Sequence, residues 1–434
     1  MDIKEAYEEL ELNFYKEKNL TLIEIENIYR NLVKKYHPDK NCKFPDYMKK
    51  LAEEKLKKIT EAIGIIRREH KKSIESEIVI SPEESSLKIL EFNKNEDITL
   101  LIHDAEQGDV SAQINLGVCY YYGKGVMQNY FEAVKWFKKA TEQGHAVAQT
   151  NLGICYHYGK GTKQSDSKAL YWYEKAAKQE YKPALFSLGN LYVKIATTSF
   201  PTDETKFSKA IYWYEKAANL NHIGAQLRLG YIYKFRERNY FEAAKWYKKA
   251  AEQGNASAQL SLGNLYSTGE GIEKNYSKAI YWYEKAIEQG NKHALFYLGN
   301  LYEKNTDIPQ NYSKAIYYYE KAAEQNCDFA QYKLGDLYKD GIIIQQDYKK
   351  AIYWYEKAAE QNCEAQYELG NLYKNGLGVQ QDYKKAAYWY GKAAEHFYEE
   401  AQYELGKLYE NGLGVQQDYK KAINLYKEVI ENIL

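Results

Sequence analysis

The chain has 434 residues, with 60 Lys plus Arg against 60 Asp plus Glu, so no basic field draws it onto nucleic acid or an anionic membrane. Such a length exceeds one compact helical core and points to several domains or a repeat array. No apolar run reaches the roughly 18 residues that a membrane span needs, and the acidic start MDIKEAYEELEL lacks a charged-then-apolar export signal, so the expected location is cytoplasmic.

The first readable helix follows Thr21 and Glu24, which form a capping box, and carries Leu22, Ile25, Ile28, Tyr29, Leu32 and Tyr36 on one face. Pro38 stops it, because proline lacks an N–H donor and disfavours helical geometry in the residue before it. A second helix is predicted from about Asp46 to Arg68, with Leu51, Leu56, Ile59, Ile63 and Ile66 as its apolar face. Two antiparallel helices joined by the polar loop would present His37, Pro38 and Asp39 at one end. Residues 73–97 then form an acidic linker with Pro82, in which LKILEF is expected to pack onto the first repeat.

From residue 98 onward the chain is repetitive. Leu-Gly recurs at 116–117, 152–153, 188–189, 229–230, 262–263, 298–299, 334–335, 369–370 and 405–406, marking nine units of about 36 residues. Each unit reads as two amphipathic helices. In AQINLGVCYYYG, Ala112, Leu116, Gly117 and Tyr120 share a face. A recurring helical Gly is costly, by up to about 1 kcal/mol against Ala, and so implies a neighbouring helix too close for a Cβ. Asn129, Asn239, Asn275, Asn311, Asp347, Asp382 and Asp418 stand where an N-cap of the second helix belongs. All seven tryptophans (Trp136, Trp172, Trp213, Trp246, Trp282, Trp354 and Trp389) occupy one phase of that second helix and are expected in the core. LLIHDAEQG (100–108) reads as a half-unit cap.

The motifs LGxxYxxGxGV and KAxxWYxKAAxxG at this period resemble Sel1-like repeats over about residues 98–434. The resemblance implies an α-α superhelical solenoid, akin to tetratricopeptide arrays, that acts as an adaptor for protein complexes. YEELEL (7–12), IENIYRNLVKKYHPDKN (25–41) and KLKKITEAI (55–63) together resemble a J domain, the module of Hsp40 co-chaperones that stimulates ATP hydrolysis by Hsp70. Over residues 1–72 it implies an antiparallel helical hairpin in which His37, Pro38 and Asp39 act on Hsp70. The same resemblance places Tyr29, Arg30, Lys34, Lys35 and Lys40 on the Hsp70-facing surface. Asn31 replaces a residue that is commonly basic and Lys34 adds a charge one turn later, which implies an altered Hsp70 preference.

The expected fold is therefore all-α: a J domain (1–72), an acidic linker (73–97) and a repeat solenoid (98–434). The expected function is a non-enzymatic co-chaperone that stimulates a DnaK-type Hsp70 and recruits it to a protein or complex held by the repeats. The alternative is an interaction scaffold, or a bacterial adaptor delivered into a host cell, in which the J domain is secondary. No catalytic triad, phosphate loop, dinucleotide fingerprint or metal-ligand spacing is present, and no cofactor is expected. Cys119 and Cys155, like Cys327 and Cys363, are 36 residues apart at one repeat phase and read as copied free thiols. For the repeat-bound partner, Phe186 with Asn190, Phe296 with Asn300, Tyr332 with Asp336 and Tyr367 with Asn371 form i, i+4 pairs at one phase. They read either as an aromatic and amide ladder for an extended peptide or as partly buried packing between units.

Overall fold

A computed structural model describes residues 98–198, 203–304 and 311–433, with side chains to residue 429. The J-domain residues His37, Pro38, Asp39, Tyr29, Arg30, Lys34, Lys35 and Lys40 lie outside the described residues. Among those described there are nineteen α-helices, one π-helical turn and no strand. They divide into two compact units, residues 98–253 and 254–433.

The N-terminal unit contains α1 (Ile98–Glu106), α2 (Val110–Tyr122), α3 (Tyr130–Glu142), α4 (Ala146–Tyr158), α5 (Asp166–Ala177), α6 (Lys182–Thr198), α7 (Glu204–Asn219), α8 (Ile223–Tyr231) and α9 (Tyr240–Glu252). The C-terminal unit contains α10 (Ala256–Thr268), α11 (Tyr276–Glu288), α12 (Lys292–Lys304), α13 (Tyr312–Glu324), α14 (Asp328–Asp340), α15 (Tyr348–Ala358), α16 (Cys363–Asn375), α17 (Tyr383–Glu395), α18 (Glu399–Asn411) and α19 (Tyr419–Ile433). From α2 onward, even helices are the first of each repeat and odd helices the second. Within each unit every helix packs on the next, and successive first helices also touch, as α4 does α6 and α14 does α16. This is solenoid stacking, in which a pair buries its apolar faces only against its neighbours.

Local chemistry explains the boundaries. Asn129, Asn239, Asn275, Asn311, Asp347 and Asp382 each accept a backbone N–H of the first turn of their second helix, and Asp418 accepts that of Lys421 at 3.0 Å. The first helices α2, α4, α10, α14, α16 and α18 end on a glycine in the left-handed region. Repeat four has no such glycine, and α8 instead runs into the π-helical turn Ile232–Arg236. The lone helix α1 buries Leu101 and Ala105 against α2 as an odd helix would.

The core corrects one expectation. Of the seven tryptophans only Trp136 and Trp246 are buried, and the other five are half-buried. The fully enclosed aromatic is the next residue: Phe137, Tyr173, Tyr214, Tyr247, Tyr283, Tyr319, Tyr355 and Tyr390. One step along a helix turns the side chain by about 100°. That turn carries the tryptophan to the flank and points its successor at the partner helix. The expected close approach of the neighbouring helix at the Leu-Gly glycine is present, and the part of that helix that comes nearest is this ring, with the Ala279 and Ala315 carbonyls next at 3.4 and 3.2 Å from a Cβ on Gly263 and Gly299. A Cβ on Gly117 would stand 2.5 Å from the Phe137 ring, on Gly153 2.5 Å from Tyr173, on Gly263 2.6 Å from Tyr283 and on Gly299 2.7 Å from Tyr319. The small residue and the large ring are therefore one packing unit, repeated along the array.

Candidate functional site

The buried ring also meets each of the four predicted pairs. Tyr214 donates its hydroxyl to Asn190 Oδ1 at 2.7 Å, Tyr319 to Asn300 at 2.7 Å, Tyr355 to Asp336 at 2.6 Å and Tyr390 to Asn371 at 2.7 Å. The aromatic member of each pair lies against the same ring: Phe186 5.8 Å from Tyr214, Phe296 5.9 Å from Tyr319, Tyr332 5.8 Å from Tyr355 and Tyr367 5.8 Å from Tyr390. Phe186 is buried and stacks on His222 at 4.6 Å, while Phe296, Tyr332 and Tyr367 are half-buried. The acceptor oxygens of Asn190, Asn300, Asp336 and Asn371 are thus engaged inside their own repeats. Each pair clasps a buried tyrosine and accepts its hydroxyl, which at Tyr319 also reaches Glu303 at 2.5 Å.

A second interaction recurs that the sequence reading passed over. Gln113 donates its amide to Ala105 O at 3.1 Å, Gln226 to Ala218 O at 3.1 Å, Gln331 to Ala323 O at 3.1 Å and Gln366 to Ala359 O at 2.7 Å. These carbonyls belong to the last turn of the preceding odd helix or the residue just beyond it, where intrahelical partners run out. Gln113, Gln226, Gln331 and Gln366 are themselves buried, so each fastens one repeat to the next through a dry hydrogen bond. The available signal was the Ala-Gln pair at 112–113, 148–149, 225–226, 258–259, 330–331, 365–366 and 401–402.

The first helices of the C-terminal unit carry a ladder of ion pairs from repeat to repeat. Lys333 on α14 meets Glu303 on α12 at 2.9 Å, Lys339 on α14 meets Glu368 on α16 at 3.1 Å, and Lys374 on α16 meets Glu404 on α18 at 2.7 Å. Burial pushes the Glu404 carboxyl up, but hydrogen bonds from Lys374 and Lys407 outweigh it and hold the group below its usual value. Asp336 shifts upward because burial disfavours its charge, although the Tyr355 hydroxyl and Lys339 oppose that. At the corresponding phase of the N-terminal unit, Asn115, Asn151 and Ser187 are uncharged and Arg228 is a buried charged residue. This even-helix surface is therefore charged but internally neutralised in one unit and largely uncharged at that phase in the other.

Cys119, Cys155, Cys327 and Cys363 are free thiols, and burial pushes Cys155 up to about 12, far from thiolate reactivity. Among the described residues no His, Cys, Asp and Glu cluster is arranged to hold a metal, and no helix is long and apolar enough to cross a membrane.

Comparison with known proteins agrees with this geometry. The Sel1 repeat family matches at residues 110–145, 146–181, 204–222, 223–255, 256–291, 292–327, 328–363, 363–396 and 399–431, and the DnaJ domain matches residues 5–74. A chaperone protein DnaJ of Mesomycoplasma hyopneumoniae (strain 232) is 48% identical over 64 residues, or 14% of this chain and 17% of the relative. The chain thus matches about a sixth of that relative's length. Among solved structures, a protective antigen of uropathogenic Escherichia coli is 30% identical with a TM-score of 0.55, covering 84% of this chain and 89% of that one. A Sel1 repeat protein from Oxalobacter formigenes is 29% identical with a TM-score of 0.58, covering 74% of this chain and 96% of that one.

Proposed function

Because the chain belongs to the Sel1 repeat family and carries a DnaJ domain ahead of its repeats, we propose that it is a non-enzymatic co-chaperone. In this reading the J domain stimulates the ATPase of a DnaK-type Hsp70, and the repeats hold the protein or complex on which that Hsp70 acts. The observation that carries it is the joining of a DnaJ domain at 5–74, containing His37-Pro38-Asp39, to nine Sel1 repeats in one chain.

The physical logic is effective concentration. A partner seated on the repeats meets the J-domain-engaged Hsp70 at the millimolar levels that a short connection imposes, without any increase in either affinity. His37, Pro38 and Asp39 act on the Hsp70, with Tyr29, Arg30, Lys34, Lys35 and Lys40 as the charged and aromatic contact surface. Hydrolysis is catalysed by residues of Hsp70, and this chain supplies the trigger. The setting is the cytoplasm, where such an Hsp70 and reduced thiols coexist.

The test is a steady-state Hsp70 ATPase assay with the full chain and its His37→Gln variant. The reading expects severalfold stimulation by the wild-type chain and none by the variant. Equal rates with and without the wild-type chain would sink it.

A further inference from the structure

The turn that joins repeats eight and nine, between α17 and α18, is acidic and aromatic. Residues 358–373 carry three carboxylates and residues 393–406 four, with no lysine or arginine in either stretch. Glu368 and Glu404 are neutralised by Lys339 at 3.1 Å and Lys374 at 2.7 Å. Exposed Glu364 and Glu400, at one phase in the first turns of α16 and α18, meet no lysine or arginine among the described residues. Both act on Tyr398, whose phenol is pushed up by burial first and then by the charges of Glu400 and Glu364. The Tyr398 ring sits 5.2 Å from that of Tyr367, and Phe397 beside it is 36% exposed. Helix dipoles account for carboxylates in a first turn, but not for the rings. Phe397 takes a left-handed φ of 59° where Gly144 and Gly254 stand in repeats one and four, and Tyr398 gives α18 no side-chain cap such as Asn362 gives α16.

A buried acceptor beneath this turn is unmatched as well. In repeats one, two and four the end of the second helix supplies a glutamine amide to the buried glutamine of the Ala-Gln pair. Gln143 donates to Gln113 Oε1 at 3.2 Å, Gln179 to Gln149 at 3.1 Å and Gln253 to Gln226 at 2.7 Å. Repeat eight has His396 at that place. Gln366, 4% exposed, still donates to Ala359 O, but its Oε1 accepts no hydrogen bond. The three bonded repeats give the direction of this oxygen: toward His396, the residue before Phe397. A buried carbonyl oxygen without a donor is costly, and it turns its negative end toward the same turn.

We propose that this turn is a binding site for an arginine side chain presented by a partner protein. A guanidinium stacks on an aromatic face, forks onto a carboxylate and keeps further N–H groups for an amide oxygen. Tyr398 and Phe397, Glu364 and Glu400, and Gln366 Oε1 supply those three kinds of contact within one compact unit. A lysine ammonium offers no plane to stack, and the carboxylates repel phosphate, which sets nucleic acid aside. The inference gives the repeat-bound partner of the proposed function a chemistry, and it rests on that reading only in taking the partner to be a protein. Binding is read without Hsp70, so arginine capture and ATPase stimulation fail independently.

The probe is a fluorescein-labelled Gly/Ser peptide carrying a pair of arginines, titrated with the full chain in about 50 mM salt. Its citrulline analogue keeps the shape and loses the charge. Saturable binding is expected for the arginine peptide, about tenfold tighter than for the citrulline peptide. Glu364→Gln combined with Glu400→Gln should weaken it about tenfold. Glu270→Gln combined with Glu284→Gln, both exposed elsewhere on the same unit, removes the same charge and should change it by less than about twofold. His396→Gln restores the amide donor of repeats one, two and four, so it should weaken peptide binding about threefold with an unchanged circular dichroism spectrum. Equal affinity for the arginine and citrulline peptides overturns the proposal, and a lysine peptide that binds as tightly as the arginine one overturns the assignment to a guanidinium. Equal weakening by the two carboxylate pairs overturns it by assigning the binding to overall charge. Wild-type affinity in His396→Gln does so by removing Gln366 from the site.

Discussion

Gly263→Ala isolates the packing unit on which every repeat is built. The new Cβ would stand 2.6 Å from Tyr283 Cε1 and 2.7 Å from Cδ1, where ordinary contacts begin at 3.4 Å. The ring cannot easily retreat, since Tyr283 is 2% exposed and its hydroxyl donates to Asn264 Oδ1 at 2.8 Å. Two effects oppose each other. Alanine in place of a helical glycine is favourable by about 1 kcal/mol, while overpacking costs about 1–3 kcal/mol and a strained hydrogen bond up to about 1 kcal/mol more. The net expectation is a loss of about 1–2 kcal/mol, or roughly a five- to thirtyfold larger open fraction. In a Tyr283→Ala background the clash is gone and helix propensity alone remains, so the same substitution should become stabilising by up to about 1 kcal/mol. Because solenoids open locally, amide exchange across α10 and α11 in the full chain is the appropriate assay. An unchanged or better protected Gly263→Ala chain, or an equal cost in both backgrounds, would refute the reasoning.

Three further outcomes follow from single interactions. Asp347→Ala removes the acceptor of the Lys349 and Lys350 amides and should weaken α15 by about 1 kcal/mol, whereas Asp347→Asn should change little; local exchange of α15 separates the two. His157 is held down to about 4 by burial first and by Lys194 second, with Asp166 opposing. The unfolded chain therefore takes the proton first. Stability around α4 should be full above about pH 6.5 and fall toward pH 4, by about 2 kcal/mol at pH 5. His157→Gln should flatten that profile, and an identical slope in both chains would contradict the assignment. For Glu404 the folded carboxyl sits below 4.5, so its contribution is present above the carboxylate range and lost as pH falls through it. Glu404→Gln should cost up to about 1 kcal/mol at pH 7 and progressively less as pH falls through the carboxylate range, read from exchange of α16 and α18.

Much of the array was legible because the determining signals are local. The second-helix caps and the helix-ending glycines are set by a few residues around one backbone turn, and copies of the pattern reinforce one another. The identity of the core aromatic was not legible in the same way. Tryptophan is larger than tyrosine and sits at a fixed phase, so size alone favoured Trp282 over Tyr283. What decides is the absence of a Cβ on Gly263, twenty residues earlier, a complementarity between two helices that no single-helix pattern displays. The roles of Asn264 and Asp336 were hidden for the same reason, since a polar residue on a half-buried face is equally suited to solvent, ligand or a tyrosine hydroxyl. The Ala-Gln pair was visible in seven repeats, but only the stacked carbonyls of the preceding helix give it meaning.

These contacts make the repeats a scaffold whose recurring interactions hold it together from one repeat to the next within each compact unit. The co-chaperone account adds that its one catalytic consequence is exerted on another protein, through a separate module. The most direct test is affinity purification with the full-length wild-type and His37→Gln chains, comparing the recovered proteins. The account predicts Hsp70 beside a set of repeat-bound partners for the wild type, and the same partners with Hsp70 lost for the variant. Recovery of no Hsp70 by either chain, or loss of every partner together in the variant, would contradict it.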